Sequence, residues 1–110
     1  MSSYQIIFDD KKLSKFLKKL LPFTQAKTIR TINLLEKHGP FLTLPFAKKV
    51  DRKLWELRIL GKQQVRFFYS FKGKRILILG WFVKKTNKIS QVKINQANLR
   101  LQKYSKDDMN

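Results

Sequence analysis

The stretch that decides the fold is residues 54–85, LWELRILGKQQVRFFYSFKGKRILILGWFVKK. Three apolar runs are separated by turn signals at Gly61-Lys62 and at Gly73, which predicts three antiparallel strands joined by tight turns. The third run, residues 75–83, is almost continuously apolar, which is typical of a strand covered on both faces for most of its length. This stretch therefore predicts a meander at the centre of the domain.

Charged residues interrupt the first two runs. In the first run the apolar side chains alternate with Glu56 and Arg58, and a period of two places the two sets on opposite faces of a strand. In the second run Arg66 alternates with its apolar neighbours, so it is expected across from Glu56 and Arg58 when the two strands form a hairpin. The third run ends at Lys84-Lys85. Alternation lets one of these two lysines reach the same face, and we favour Lys84.

The composition is that of one basic globular domain. Its 110 residues suffice for a single hydrophobic core and leave no material for a second. With 43% hydrophobic residues and nine Phe, the chain can bury a substantial core. The 25 Lys and Arg outnumber the 7 Asp and Glu and give a net charge of +18. Such an excess favours a polyanionic or strongly acidic partner, and nucleic acid is the first candidate.

Residue counts also limit the chemistry and the location of the protein. The absence of cysteine excludes disulfides and cysteine metal sites, and a single His argues against a zinc centre. We therefore expect no metal and no other cofactor. No charged-then-apolar signal pattern opens the chain, and no apolar run approaches the ~20 residues that span a bilayer. We expect a cytoplasmic protein.

Two short helices are predicted between a first strand near the N-terminus and the meander. Asp9 or Asp10 can cap the first helix, whose apolar residues recur at three- and four-residue steps until Pro22 ends it. The second helix is expected to start at Thr24. Its predicted buried stripe consists of Ala26, Ile29, Ile32 and Leu35.

The second helix should end at His38, which precedes Gly39-Pro40. As the single histidine of the chain, His38 could serve as a general base. A cationic residue at this position also suits the negative end of a helix. We interpret His38 as part of the cap.

Residues 41–53 are predicted to form a loop that carries a cluster of cations. Pro45 lies within it. Its basic residues are Lys48, Lys49, Arg52 and Lys53. Clustered cations on a loop beside a sheet can hold an RNA backbone, and the alternative is ordinary surface charge. Both interpretations stay open at the level of the sequence.

A C-terminal helix is indicated by one apolar stripe, after which residues 105–110 are expected to fray. The stripe consists of Ile94, Ala97, Leu101 and Tyr104. The predicted order is an N-terminal strand, a two-helix hairpin, an antiparallel three-strand meander and a C-terminal helix. This is a single α+β domain over residues 1–110, with its helices expected on one side of the sheet.

Short motifs along the chain resemble a known family when they are taken in order. The set LWELR, VRFFY and FVKKT, preceded by GPF and followed by a basic helix, is similar to the phage-derived HigB-like branch of the RelE toxin superfamily. The similarity extends roughly from Asp9 to Tyr104. It implies a RelE-like fold and a toxin that cleaves messenger RNA, usually on the translating ribosome. It also implies a helix-turn-helix antitoxin as the partner protein.

RNA cleavage without a metal uses the 2′-hydroxyl to attack the adjacent phosphorus, so the enzyme must align the attack, move protons and stabilise charge on phosphate. A guanidinium can hold two phosphate oxygens, and Arg58 and Arg66 are therefore the predicted phosphate clamps. Lys84 is expected to serve the leaving oxygen, because relatives have a basic catalytic residue there. Glu56 could accept a proton or orient Arg58, and we favour orientation. Both arginines are predicted to be exposed, so their removal should leave folding intact.

The chain departs from the family pattern at one place. Many members carry His-Gly before the segment that ends in Lys-Lys, whereas this chain has Gly80-Trp81, which removes the most obvious titratable base. Trp81 could stack on a base, and the alternative is a core side chain. The predicted RNA contacts are Lys48, Lys49, Arg52, Trp81 and Lys85. Two further functions stay open, a non-catalytic RNA- or ribosome-binding module and a decayed toxin.

Overall fold

The computed structural model of the protein describes residues 4–88 and 90–109, the last five of them as backbone only. The elements are β1 (Gln5–Ile7), α1 (Asp10–Lys18), α2 (Pro22–His38), a 3-10 turn (Gly39–Phe41), β2 (Ala47–Asp51), β3 (Leu54–Ile59), β4 (Gln64–Lys72), β5 (Arg75–Lys84) and α3 (Gln91–Met109). The predicted α+β class is confirmed. The backbone of residues 105–109, for which fraying is predicted, belongs to α3, and residue 110 lies outside the described residues.

The five strands form one sheet in the order β1-β5-β4-β3-β2. The predicted meander is present as β3, β4 and β5, with antiparallel pairing throughout. β1 lies at one edge, parallel to the start of β5. This arrangement places β4 at the centre of the sheet.

β2 lies at the other edge and is absent from the sequence prediction, which treated residues 41–53 as a loop. Its backbone pairs with β3, and Lys48 lies opposite Glu56. Its sequence AKKVD is short and rich in lysine, as edge strands often are, because lysine discourages pairing with another chain. The pairing of residues 47–51 with β3 shows that the loop prediction is wrong for this segment. The strand is not predicted because its sequence lacks the alternation of apolar and polar residues that marks a half-buried strand.

Two hydrophobic clusters lie on opposite faces of the sheet. On one face, Leu13 of α1 and Leu35 of α2 pack with inward side chains of the meander such as Phe67. On the other face, Ile94 and Ala97 of α3 pack with side chains of β3, β4 and β5. The expectation that all helices lie on one side is wrong. The side chains of β4 and β5 on the face away from α1 and α2 are largely apolar, and α3 buries them.

The buried stripe of α2 also differs from the prediction. Thr24, Thr28 and Thr31 are buried with Leu35, whereas Ile29 is 44% exposed. The hydroxyl of Thr28 donates to the carbonyl oxygen of Thr24 over 2.8 Å, and Thr31 bonds to its own helix in the same way. Because these hydroxyls are satisfied locally, the threonines pack as small β-branched apolar residues. A hydropathy pattern counts them as polar, so the predicted stripe is right for Ile32 and Leu35 and wrong for Ala26 and Ile29.

The starts of both N-terminal helices follow from their first residues. Asp9 caps α1 as predicted, since its carboxylate accepts a hydrogen bond of 3.0 Å from the backbone N–H of Lys12. Pro22 occupies the first turn of α2 instead of ending α1, so α2 begins two residues before Thr24. Proline suits this position because the first turn leaves backbone N–H groups without helical partners.

Gly39 ends α2 in a conformation that side chains rarely adopt. Its φ is 52° and its ψ is −127°, and its N–H donates to the carbonyl oxygen of Leu35. A Cβ at this position would also clash with the ring of Tyr4. Residues 37–40 therefore end the helix as the sequence predicts, with His38 as its last residue.

Gly39→Ala is expected to lower the free energy of unfolding by about 2 to 5 kcal/mol, because a positive φ costs roughly 1–2 kcal/mol and overpacking adds roughly 1–3 kcal/mol. Gly73→Ala is the matched control, since Gly73 has a φ of +59° but a Cβ there would meet no atom within 4 Å. Urea denaturation of both variants measures the difference. Equal losses would show that the contact with Tyr4 adds nothing.

Candidate functional site

Three of the charged residues of β3 and β4, namely Glu56, Arg58 and Arg66, lie together on the face of the sheet that α3 covers. Arg58 lies directly opposite Arg66, and Glu56 lies opposite Phe68. Glu56 and Arg58 are two positions apart on one strand, so they share a face. The predicted juxtaposition of Glu56, Arg58 and Arg66 is therefore present in the structure, and we call this surface the charged face.

Glu56 is the centre of this group. Its Oε1 lies 3.6 Å from Nε of Arg66 and 3.8 Å from Nε of Arg58. Both distances are those of ion pairs rather than short hydrogen bonds. One carboxylate oxygen thus holds two guanidinium groups of neighbouring strands in fixed positions.

Arg66 is buried, which contradicts the expectation that both arginines are exposed. Its side chain is 3% exposed, against 27% for Arg58 and 12% for Glu56. The terminal nitrogens of Arg66 donate to the carbonyl oxygen of Val65 at 3.0 Å and to Oε1 of Gln64 at 3.2 Å. Its Nε has no hydrogen-bond partner in the described part of the chain. Arg58 is therefore the guanidinium that reaches solvent.

Burial lowers the pKa of the Arg66 guanidinium from its ordinary value, and the neighbouring charge of Arg58 acts in the same direction, while Glu56 opposes both. The guanidinium of arginine stays protonated in proteins even when its pKa is lowered. Arg66 is consequently a buried cation at neutral pH. Its main electrostatic partner at that position is Glu56.

Lys84 lies on the charged face, in agreement with the preference for Lys84 over Lys85, because the pairing of β4 with β5 shifts by one residue between Phe68 and Tyr69. It pairs in register with Gln64, which is two positions from Arg66 on β4. The side chain of Lys84 is half-buried, whereas Lys85 follows the end of the strand and is exposed. The structure thus brings Lys84, and not Lys85, onto the same face as the two arginines.

The cations predicted to contact RNA from residues 41–53 are divided between surfaces. Lys48 lies opposite Glu56 and belongs to the charged face. Lys49 points the other way, with its Nζ 5.2 Å from the ring centroid of Trp55. Arg52 lies in the exposed turn between β2 and β3. Of these cations, only Lys48 is placed beside the candidate site.

Trp81 lies on the face opposite the charged one. Its ring centroid is 6.2 Å from that of Phe16 of α1 and 6.0 Å from that of Phe67 of β4. It packs against the cluster under α1 and α2. This packing agrees with the alternative of a partly buried core side chain, and a contact of Trp81 with RNA stays a prediction.

One family profile matches the chain over residues 15–102 and is described as Phage derived protein Gp49-like (DUF891). The match includes the whole charged face and most of α3. The chain belongs to this family. Gp49-like proteins are RelE-like and are associated with toxin–antitoxin systems, which indicates an antitoxin as partner. A search of curated proteins found no match.

Within the described part of this Gp49-like chain, no helix is long and apolar enough to cross a membrane. The same residues contain no group of three His, Asp or Glu side chains that could hold a metal ion. The ionisable side chains that the structure places on the charged face include Glu56, its two arginines and the lysines Lys48 and Lys84.

The side chains of His38, Tyr69 and Glu56 could act as a general base, and they differ in their position relative to the charged face. His38 lies at the exposed end of α2, in the layer that covers the opposite face. Burial raises the pKa of the Tyr69 phenol well above its ordinary value, and Tyr69 belongs to the cluster under α1 and α2. Glu56 is thus the candidate proton acceptor that the structure places within the charged face.

The sequence analysis does not single out Arg100 of α3, whose guanidinium contacts the backbone of β5. Its Nη1 donates to the carbonyl oxygen of Leu79 over 2.6 Å. A Cβ at Gly80 would lie 3.1 Å from the same nitrogen, so the guanidinium fills the space beside the glycine. A cleft of about 620 Å³ adjoins this contact and is lined by Asp9, Lys12, Ile78, Leu79, Gly80, Trp81, Arg100, Lys103 and Tyr104. Nothing distinguishes Arg100 in sequence from the other cations of its basic helix.

Proposed function

We propose that this Gp49-like protein is a toxin of the HigB-like branch that cleaves messenger RNA on the translating ribosome and so inhibits translation. The observation that carries the proposal is the ion-paired group formed by Glu56, Arg58 and Arg66 on one face of the sheet. Lys48 and Lys84 extend the positive charge of this face along the neighbouring strands. Such a surface is suited to a phosphate whose negative charge increases during cleavage.

The proposed reaction is an internal transfer of phosphate. The 2′-oxygen loses its proton and attacks the adjacent phosphorus, the bond from phosphorus to the 5′-oxygen breaks, and the leaving oxygen takes up a proton. The products are a 2′,3′-cyclic phosphate and a 5′-hydroxyl. No atom of the protein is consumed, so the protein contributes alignment, charge and proton transfer.

Arg58 holds the scissile phosphate, because its planar fork can hold two phosphate oxygens and its side chain is 27% exposed. Lys84 serves the leaving oxygen from the adjacent strand. Arg66 is too deeply buried for the first contact and acts as a positioning residue behind Glu56. Glu56 orients Arg58 and is the group available to accept the proton of the 2′-hydroxyl.

An acidic helix-turn-helix antitoxin is the proposed protein partner. The net charge of +18 favours a partner of opposite sign. Covering the charged face would block both the arginine fork and the entry of RNA. This contact would hold the toxin inactive until the antitoxin is lost.

A second function, a non-catalytic RNA- or ribosome-binding module, is favoured by one observation. The charged face contains no histidine, since Gly80 stands where many relatives have one and His38 lies in the opposite layer. A protein of this kind would bind through phosphate contacts and cut nothing. A decayed toxin that keeps only its antitoxin contact would share this surface.

Primer extension on a message during translation in a purified system separates these functions. With the wild-type protein, new ends are expected inside the reading frame, because the proposed site cleaves the message while a ribosome presents it. The same message without ribosomes is the control and should be cut far less. Inhibited translation without new ends would contradict the nuclease and support the binding module.

A further inference from the structure

A row of four side chains crosses the charged face from strand to strand. Arg58 lies opposite Arg66, and Arg66 lies opposite Phe82 of β5. On the other side, the backbone N–H of Arg58 donates to the carbonyl oxygen of Phe46 over 2.7 Å, which extends the pairing of Ala47 with Leu57 by one position. Two guanidinium groups are thus flanked by an aromatic residue at each end.

The two aromatic ends of this row differ in availability. Phe82 is covered, since the Nζ of Lys93 lies 4.0 Å from its ring centroid and the ring of Phe68 lies 5.5 Å away. Phe46 is 40% exposed. Among the residues that the structure describes, no aromatic ring or cation contacts the ring of Phe46.

The backbone on both sides of Phe46 is fixed. The N–H groups of Phe46 and Ala47 both donate to the carbonyl oxygen of Thr43, at 3.0 and 3.1 Å. Ala47 is itself buried at 3% exposure. The backbone that carries the ring is therefore held just before β2, across from Arg58, although leaving an apolar side chain in water brings no gain in stability.

We propose that Phe46 is a stacking platform for a nucleobase of the RNA whose phosphate is held by Arg58. This inference rests on the proposed function and deepens it, because it assigns the position of a base next to the cleaved phosphate. Proteins that bind single strands combine cations along the backbone with exposed aromatic rings on which bases stack. Arg58 lies across from Phe46 on β3, and Lys48 lies two positions along β2 on the same face, so both can supply cations beside the ring. Stacking accepts every base, so the platform fixes the position of the RNA without selecting a sequence.

The test is a comparison of two proteins on two ligands. The wild-type protein and Phe46→Ala are titrated with a short single-stranded RNA and with an oligomer of the same length made only of abasic ribose phosphates. Phe46→Ala should bind RNA roughly 5- to 150-fold more weakly, which is the range for one lost base stack. It should bind the abasic oligomer as the wild type does. Phe46→Trp should restore RNA binding, since tryptophan offers a larger ring.

Phe23→Ala is the matched control, because Phe23 is 75% exposed but lies on α2, in the layer that covers the opposite face. It should bind both ligands as the wild type does. The inference is overturned if Phe46→Ala binds RNA normally, or if it weakens both ligands equally. It is also overturned if Phe46→Ala loses only the antitoxin. If one of these results is obtained while the wild-type protein cuts translated messages, the inference about Phe46 fails and the proposed function stands. If the wild-type protein neither binds nor cuts RNA, the inference and the proposed function are both contradicted.

Discussion

Arg58→Ala is expected to lower messenger RNA cleavage by about 10²- to 10³-fold, the usual effect of removing one donor that stabilises transition-state charge. Induced expression of this variant should no longer stop bacterial growth. The fold should survive, because Arg58 is 27% exposed and its pair with Glu56 is of the kind that contributes about 0–1 kcal/mol. Primer extension on a translated message measures the first effect, and urea denaturation measures the second.

Arg52→Ala is the control for charge alone, since Arg52 lies in the exposed turn after β2 and outside the charged face. It removes the same charge and should retain most of the cleavage. Arg58→Lys keeps the charge of the site but loses the planar guanidinium. We therefore expect it to cleave messenger RNA much more slowly than the wild type, because a lysine cannot hold two phosphate oxygens in a fixed plane. Equal losses for Arg52→Ala and Arg58→Ala, or a folded Arg58→Ala that still arrests growth, would remove Arg58 from the site.

Much of the sheet could be predicted because its information is local. The alternation in residues 54–60 fixes the faces of β3, and the short turn at Gly61 sets the register of β4 against β3. β5 keeps the register set by the turn at Gly73 only as far as Tyr69, where its pairing with β4 shifts by one residue. Register and alternation together bring Glu56, Arg58 and Arg66 together, so the composition of the site could also be derived from the sequence. The placement of these three side chains on one face follows from residues 54–72 alone.

The parts that sequence reasoning missed depend on context or on side-chain chemistry. β2 is an edge strand without an alternating pattern, and it becomes visible only when its backbone pairs with β3. The burial of Thr28 depends on a hydroxyl that bonds within its own helix. The burial of Arg66 was missed because alternation assigns a face but does not say what covers it. In this protein α3, distant in sequence, packs on the face that holds Arg66.

The burial of Arg66 changes what its removal should do. Arg66→Ala is expected to lower the free energy of unfolding by about 2 to 5 kcal/mol, the range for emptying a large buried site, and it leaves Glu56 with Arg58 as its ion-pair partner. It also leaves an empty volume beside Gln64 and Val65, whose oxygens lose their donors. A loss of cleavage by this variant alone would therefore say nothing about catalysis.

Arg66→Met separates the two roles, because methionine is flexible enough to fill the space of the lost side chain without a buried charge. We expect Arg66→Met to recover most of the stability that Arg66→Ala loses and still to cleave poorly, since Glu56 and Arg58 would lack the cation that positions them. Urea denaturation and primer extension on both variants measure the two properties. Stability of Arg66→Ala within about 0.5 kcal/mol of the wild type, the range of exposed sites, would contradict its burial. Full cleavage by Arg66→Met would show that Arg66 stabilises the sheet and has no part in positioning Glu56 and Arg58.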